Sequence, residues 1–220
     1  MTRRFAPAWG ISSRTMLMSN AKYFISILLF SSLIFSQGDV LSAIREQALE
    51  KGLPESFLIE TFSSEKIAVH NDILDRFARP YEKKSWTDYR KLFVTKSRIS
   101  AGVKFYNKNE ESLITVGKNT EVDLFLILSI VGVESNYGRH QGKYNVFNAL
   151  YTQISKMPRR SKWAKKEMIE YLLYCYKDKI PPHSILGSYA GAFGYGQFIP
   201  SSFNAYAIDG NGDGVRKPYD

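Results

Sequence analysis

The chain has 220 residues, of which 44% are hydrophobic, 14% aromatic and 23% charged. This composition is typical of a globular protein and excludes a largely disordered chain, whose hydrophobicity would be lower. At this length one domain with a sizeable core is expected. The single cysteine, Cys175, excludes an internal disulfide and is predicted to be a small buried apolar residue.

The first 36 residues differ from the rest of the chain. Their only charges are the basic residues Arg3, Arg4, Arg14 and Lys22. An apolar run over residues 23–36 follows, and it is shorter than the roughly 20 residues that a membrane-spanning helix needs. Residues 1–36 are therefore predicted to be a secretory signal peptide, with Met16 or Met18 as alternative starts. An uncleaved membrane anchor is the other interpretation.

The net charge of +9 falls to +5 without this leader, since 26 basic and 21 acidic residues remain. A moderate positive charge suits an anionic partner such as a cell-wall polymer, nucleic acid or a lipid headgroup, and does not choose between them. Export to the periplasm or beyond argues against nucleic acid as the partner. No phosphate loop or dinucleotide fingerprint is present, so no organic cofactor is expected.

The remainder of the chain is predicted to be mainly α-helical, because apolar residues recur at helical spacing and strand signals are scarce. The predicted helices cover residues 39–52, 54–62, 97–119, 124–137 and 158–179, with a short helix from Pro200. Their inward faces are expected to carry Ile99, Val103, Tyr106, Leu113 and Val116 in the third helix and Trp163, Ile169, Leu172, Leu173 and Tyr176 in the fifth.

The stretch "LFLILSIVGVESNYG", residues 124–138, predicts a helix that is apolar on nearly every side and therefore central in the fold. Thr120 and Asp123 resemble a capping box that opens this helix, and Gly138 is a plausible stop.

Glu134 is the one acidic residue of this stretch, and helical spacing places it on the face of Ile127 and Ile130. Burial beside apolar side chains would raise the pKa of the carboxyl group and suit it to general acid catalysis. The alternative is that the end of the helix turns outward and Glu134 is simply solvated, as most glutamates are.

Three further segments carry candidate binding residues. Glycines at 187, 191, 194 and 196 predict a loop that lets the backbone approach a ligand closely. The pair Arg159–Arg160 could clamp a carboxylate, although a solvated surface pair is the alternative.

The last twelve residues, "DGNGDGVRKPYD", follow the calcium-binding pattern of an EF-hand loop. Asp209, Asn211 and Asp213 occupy its alternate ligand positions, Gly214 its sharp turn and Asp220 its last position. An Asx and glycine turn without metal is the alternative.

The segments "VGVESNYG", "MPRR", "GSYAGAFGYGQFIPSS" and "DGNGDG", in this order and spacing, closely resemble the lytic murein transglycosylase B family. The resemblance covers roughly residues 40–220. It implies a lysozyme-like core that cleaves peptidoglycan glycan strands, with residues 37–220 as the catalytic domain. Members of that family normally continue past the calcium loop, so the C-terminal part of the domain is expected to be missing here.

The resemblance also implies roles for individual residues. Glu134 would be the single catalytic acid and base. The implied substrate contacts are Tyr89, Arg159, Arg160, Ser188, Gln197 and Phe198. The implied ligands of a structural calcium are Asp209, Asn211, Asp213 and Asp220.

The implied reaction cleaves the β-1,4 bond between N-acetylmuramic acid and N-acetylglucosamine and leaves 1,6-anhydro ends. A hydrolytic muramidase, a non-catalytic peptidoglycan-binding remnant and a calcium-binding module are the alternatives. Peptidoglycan is the expected partner of a monomer that has no stable membrane span once its signal peptide is cleaved.

Overall fold

A computed structural model describes residues 40–78 and 85–219. The chain divides into two units, Met1–Ser42 and Ala43–Asp220, and the described residues lie almost entirely in the second unit. The predicted signal peptide and Asp220 lie outside the described residues. No helix within the described ranges is long and apolar enough to cross a membrane.

The described chain is mainly α-helical, as predicted. Its helices are α1 (residues 40–50), α2 (Glu55–Phe62), α3 (Asp72–Ala78), α4 (Trp86–Phe93), α5 (Lys96–Lys108), α6 (Glu110–Thr120), α7 (Leu124–Ser135), α8 (Val146–Lys156), α9 (Pro158–Lys177) and α10 (Pro200–Tyr206). Two short strands, β1 (Tyr144–Asn145) and β2 (Leu186–Gly187), pair antiparallel with Tyr144 opposite Gly187.

The core is built around α8 and α9, which pack against each other. All nine residues from Val146 to Ile154 of α8 are buried, because other parts of the chain cover this helix on every side. On α9 the buried stripe includes Ala164, Met168, Leu172 and Cys175, at the spacing of one helical face. Cys175 is the small buried residue that was predicted, and burial raises the pKa of its thiol to about 12.

A cluster of aromatic side chains joins α10 and the following segments to α9. Tyr174 and Phe193 stack with ring centroids 5.8 Å apart, and Phe203 of α10 lies 4.7 Å from Tyr174 and 5.0 Å from Phe193. Because these rings are buried on both sides, they hold the chain between β2 and α10 against the core.

The predicted helix over residues 97–119 is wrong in detail, because the chain breaks at Asn109 into α5 and α6. Leu113 is buried as expected, whereas Ile99, Val103 and Val116 are exposed. In α9, Tyr176 is also exposed rather than inward. Helical spacing locates an apolar face but does not say whether another element covers it.

The predicted capping box before α7 is also wrong. Asp123 alone is the N-cap and accepts hydrogen bonds from the backbone N–H groups of Phe125 (2.7 Å) and Leu126 (3.3 Å). Thr120 instead ends α6 and donates its hydroxyl to the carbonyl oxygen of Val116 at 2.7 Å.

Helix α7 is not central, contrary to the prediction. It packs on α5 and α6 through one side, where Leu128, Gly132 and Ser135 are buried. Its other sides leave Phe125 68% and Ile130 49% exposed. A helix that is apolar all round gives no periodic signal for its covered side, and so the sequence overstated its burial.

A buried ion pair fixes the C-terminal segment to α9. The Arg216 guanidinium contacts the carboxylate of Asp178 through Nη2 at 2.5 Å and Nε at 3.1 Å, with side chains 11% and 4% exposed. Burial raises the pKa of Asp178, but the hydrogen bonds and charge of Arg216 outweigh that effect and hold it below its usual value.

Replacing Arg216 with Met should destabilise the fold by about 3 kcal/mol, because the Asp178 carboxylate would stay buried without its cation. Since the pKa of Asp178 is lowered in the folded state, the stabilisation from the pair is present above about pH 4 and is lost as pH falls through the folded pKa. Urea denaturation of the wild-type protein and of Arg216→Met between pH 7 and pH 3 measures the difference in their free energies of unfolding.

The matched control is Lys91→Met, which breaks the exposed ion pair of Lys91 with Asp88 at 3.4 Å. This change should alter stability by less than about 1 kcal/mol. Equal losses in the two variants would contradict the role given to Asp178 and Arg216.

Candidate functional site

Glu134 lies in the last turn of α7 and is exposed to solvent. The predicted burial beside Ile127 and Ile130 is therefore wrong, because α7 packs on α5 and α6 through one side and leaves Ile130 49% exposed. The carboxylate is open to a ligand in this arrangement.

The chain after Glu134 forms a tight left-handed turn. Asn136, Tyr137 and Gly138 all have positive φ angles, of 49°, 59° and 77°. The buried Ser135 side chain bridges the turn, since its Oγ donates to the carbonyl oxygen of Val131 and accepts from the N–H of Gly138, both at 3.1 Å. The end of α7 is therefore fixed by hydrogen bonds on both sides of Glu134. Asn136 is the C-cap of α7, and Gly138, the predicted stop, is the last residue of the turn.

The glycine-rich loop, defined here as residues 187–199, is itself closely hydrogen-bonded. The Ser188 Oγ accepts from the N–H groups of Ala190 (3.2 Å) and Ala192 (3.1 Å). Phe193 and Phe198 exchange two backbone hydrogen bonds of 3.0 Å, which closes the second half of the loop. Gln197, with a φ of 49°, donates its side-chain Nε2 to the carbonyl oxygen of Gly194 at 3.0 Å.

The three predicted sugar contacts in this loop remain accessible. Ser188 and Gln197 are half-buried, and Phe198 is exposed. An exposed aromatic face beside hydroxyl and amide groups has the chemistry to bind a carbohydrate, which presents both apolar C–H faces and hydroxyl groups.

The glycine-rich loop is anchored by a residue that the sequence analysis missed. Glu167 of α9 is 2% exposed, and its carboxylate accepts from both the N–H and the hydroxyl of Ser201 at 2.9 Å. This pair of bonds fixes the first turn of α10 directly after the loop. The sequence does contain an indication of this role, because Glu167 is an acidic residue within the apolar stripe of α9.

Arg160 is held beside the loop, whereas Arg159 is exposed. The Arg160 guanidinium lies 4.5 Å from the ring centre of Phe77 and 4.4 Å from that of Trp163. Its Nε donates to the side-chain oxygen of Gln153 at 3.0 Å. Burial lowers the pKa of Arg160 from its usual value.

Gln153 links this arginine to the loop, a role that no pattern in the sequence indicates. Its Nε2 donates to the carbonyl oxygen of Tyr189 at 3.2 Å, while its oxygen accepts from Arg160. Gln153 therefore connects Arg160 with the glycine-rich loop.

Tyr89 lies on α4, where its half-buried ring contacts neighbours on the same helix. The ring centre is 6.5 Å from that of Trp86 and 4.7 Å from that of Phe93. These contacts explain its orientation, and its place in a substrate cleft stays a prediction.

In the predicted calcium loop, side-chain carboxylates accept hydrogen bonds from backbone N–H groups of the same loop. Asp209 accepts from the N–H groups of Gly212 (2.8 Å) and Gly214 (2.7 Å), and Asp213 accepts from the N–H of Val215 at 2.9 Å. The hydrogen bond from Lys217 is the main cause that lowers the pKa of Asp213.

Among the described residues, no group of three or more His, Cys, Asp or Glu side chains lies close enough to hold a metal ion. The oxygen donors of Asp209, Asn211 and Asp213 on alternate residues nevertheless fit calcium, which prefers carboxylate and amide oxygens. Asp220, the remaining predicted ligand, lies outside the described residues.

Comparison with known proteins gives a consistent result. Residues 36–219 match the family model described as the transglycosylase SLT domain. The chain is 39% identical over 130 residues to the membrane-bound lytic murein transglycosylase B of Escherichia coli (strain K12), which is 59% of this chain and 36% of that protein.

Two solved structures share the fold. The soluble lytic transglycosylase SltB1 from Pseudomonas aeruginosa has 39% identity and a TM-score of 0.76, covering 83% of this chain and 61% of that one. The Escherichia coli lytic transglycosylase Slt35, in complex with calcium, has 32% identity and a TM-score of 0.74, covering 82% and 58%.

This chain thus spans between about one third and three fifths of the length of these relatives. The structural likeness confirms the predicted lysozyme-like, mainly α-helical transglycosylase fold. Since the family model covers most of the sequence, the chain belongs to the family of transglycosylase SLT domains.

Proposed function

We propose that this protein is a peptidoglycan lytic transglycosylase. It would cleave the β-1,4 bond between N-acetylmuramic acid and N-acetylglucosamine and leave 1,6-anhydro ends. The observation that carries this proposal is the exposed Glu134 at the rigid end of α7, in a chain of this family whose glycine-rich loop packs against the turn after that residue.

In this reaction Glu134 acts first as an acid. It gives its proton to the glycosidic oxygen as the bond to C1 of N-acetylmuramic acid breaks, and positive charge develops at that carbon. Glu134 is then a base and accepts the proton of the 6-hydroxyl group of the same sugar. The bond from O6 to C1 closes the anhydro ring, and no water is consumed.

One carboxylate is sufficient for this sequence of steps, whereas most glycosidases use two. In a hydrolase the second carboxylate activates water or attacks the sugar. In the proposed reaction the 6-hydroxyl group of the sugar is the nucleophile, so neither step is needed. The exposed position of Glu134 allows its carboxyl group to reach both oxygen atoms in turn.

The other predicted site residues bind the substrate in this proposal. Ser188, Gln197 and Phe198 contact the sugars from the glycine-rich loop. Arg160 offers its Nη groups to the acyl or peptide portion, because its Nε is already engaged by Gln153. The remaining proposed contacts are Arg159 and Tyr89.

Replacing Glu134 with Gln should lower the release of anhydro-ended muropeptides from murein sacculi at least about a hundredfold, because the amide can neither give nor accept the proton. The products are identified by mass spectrometry after separation. Glu111→Gln, at another exposed position on α6, is the matched control and should retain full activity.

Other products would select the alternative functions. Reducing ends from the wild-type protein would indicate a hydrolytic muramidase. Wild-type protein that pellets with sacculi and releases nothing would be a peptidoglycan-binding protein without activity, and the proposal would be wrong.

We also propose that the loop from Asp209 to Asp220 binds a structural calcium ion. The support is the alternating oxygen donors and the calcium complex of the related Slt35. Lys217 forms an ion pair with Asp213, so a bound cation competes with that lysine for the carboxylate.

Calcium should therefore raise the melting temperature, since a ligand that binds only the folded state stabilises it. Asp209→Asn should remove most of this rise, and Asp75→Asn, an exposed change on α3, should leave it unchanged. Differential scanning fluorimetry with calcium and with chelator measures both. An equal rise in all three proteins would show that calcium does not bind at this loop.

The proposed setting is the periplasm or another exported location, with residues 1–36 as the signal peptide and residues 37–220 as the catalytic domain. Peptidoglycan is the proposed partner of a monomeric protein, and nucleic acid is not.

A further inference from the structure

Four aromatic side chains from separate parts of the chain form one cluster, here called the aromatic quartet: Phe105, Tyr137, Tyr195 and Tyr219. The ring centre of Phe105 is 5.5 Å from those of Tyr137 and Tyr195. The ring of Tyr219 is 5.4 Å from that of Tyr195. The quartet therefore joins α5, the turn after Glu134, the glycine-rich loop and the C-terminal segment.

Tyr137 ties the end of α7 to α5. A Cβ atom added at Gly102 of α5 would lie 2.5 Å from the Tyr137 hydroxyl oxygen, and one added at Gly132 of α7 would lie 2.6 Å from it. The ring thus fills a slot that exists only because both positions are glycine. This contact fixes the turn three residues beyond Glu134.

Tyr195 contacts the same turn from the other side. Its ring lies directly on the backbone of Gly138, where an added Cβ atom would overlap it. Its N–H donates to the carbonyl oxygen of Pro218 at 2.9 Å, which fixes the backbone of the residue. Two residues later in the chain comes Gln197, one of the proposed sugar contacts.

We propose that Tyr195 is a positioning residue, which sets the placement of Glu134 relative to Gln197 and Phe198 through its packing on Gly138. This inference rests on the proposed function. General acid catalysis requires the carboxyl group within hydrogen-bond distance of the glycosidic oxygen. A displacement of about 1 Å at such a site costs on the order of a hundredfold in rate.

The first test needs no substrate. Tyr195→Leu removes the ring from Gly138, and amide hydrogen exchange across residues 135–140 should then become at least about tenfold faster. Tyr195→Phe keeps the ring and should preserve the slow exchange. The matched control is Phe57→Leu, which removes a ring packed on Tyr176 at 5.3 Å, away from the quartet. Exchange across residues 135–140 should be unchanged in the control.

The second test separates turnover from binding. With soluble glycan fragments, Tyr195→Leu should lower kcat at least about tenfold and change KM less than about threefold, because the misplaced group is the acid. Tyr195→Phe should restore kcat to within about threefold of the wild-type value. Phe57→Leu should lower the melting temperature without lowering kcat at a temperature where it is folded.

A double variant checks the route through Gly138. Gly138→Ala places a methyl group against the Tyr195 ring and should itself lower kcat. When Gly138→Ala is combined with Tyr195→Leu, the loss of kcat, expressed as a free energy, should be smaller than the sum of the two single losses. The reason is that Tyr195→Leu removes the ring with which the new methyl group clashes. If Tyr195→Leu alone folds poorly, Gly138→Ala still tests the contact, because its methyl group overlaps the Tyr195 ring and should speed amide exchange across residues 135–140.

Unchanged exchange across residues 135–140 in folded Tyr195→Leu would overturn the inference. So would a loss of binding with unchanged kcat, or fully additive losses in the double variant. If the wild-type protein releases no anhydro products, the proposed function fails, and hydrogen exchange still decides whether Tyr195 holds the turn.

Discussion

The packing of α8 against α9 is the interaction on which the other parts of the site depend. Helix α8 is buried on every side and α9 buries an apolar stripe, and buried polar side chains lie on both helices and directly after α9. Gln153 binds the backbone of Tyr189, Glu167 binds the start of α10, and Asp178 binds Arg216. Because a buried polar group is costly unless it is satisfied, each of these residues selects one position for the segment it holds. The glycine-rich loop and the C-terminal segment are irregular in backbone and nevertheless well fixed.

The proposed acid, Glu134, is not held by buried polar side chains of α8 and α9. Glu134 belongs to α7, which packs on α5 and α6 and leaves much of its apolar surface exposed. The backbone at its end of α7 is held locally by Ser135 and by the left-handed turn, and aromatic contacts join this turn to the loop. The proposed proton donor thus lies on α7, whereas the proposed sugar contacts lie on the glycine-rich loop, which packs on α8 and α9. Accurate placement of the two requires rigid contacts, and the tilted and edge-to-face rings of the aromatic quartet supply these at low cost in side-chain entropy.

The sequence predicted those features that depend on local chemistry. Periodic apolar residues predicted the location of most helices. The end of α9 was also predicted, since the helix stops at Lys177, before Pro181. Glycines marked the loop, and the four motifs together identified the family. The predictions for α7 failed because a uniformly apolar helix does not indicate which side is covered. The break at Asn109 was missed for a related reason, since the apolar pattern continues through it. Gln153 and Arg216 were not foreseen, because their partners lie 36 and 38 residues away along the chain.

The C-terminal segment has a consequence for how this fold can be dismantled. Residues 210–214 form an exposed surface loop, whereas Arg216 and Pro218 beyond it are bound to Asp178 and Tyr195. A single proteolytic nick between Gly210 and Gly214 would remove no proposed sugar contact. It would, however, cut the covalent link between α10 and the segment that contacts Tyr195. This exposed loop is thus covalently continuous with the segment that supports Tyr195, and a cut in the loop would weaken the packing around the turn after Glu134.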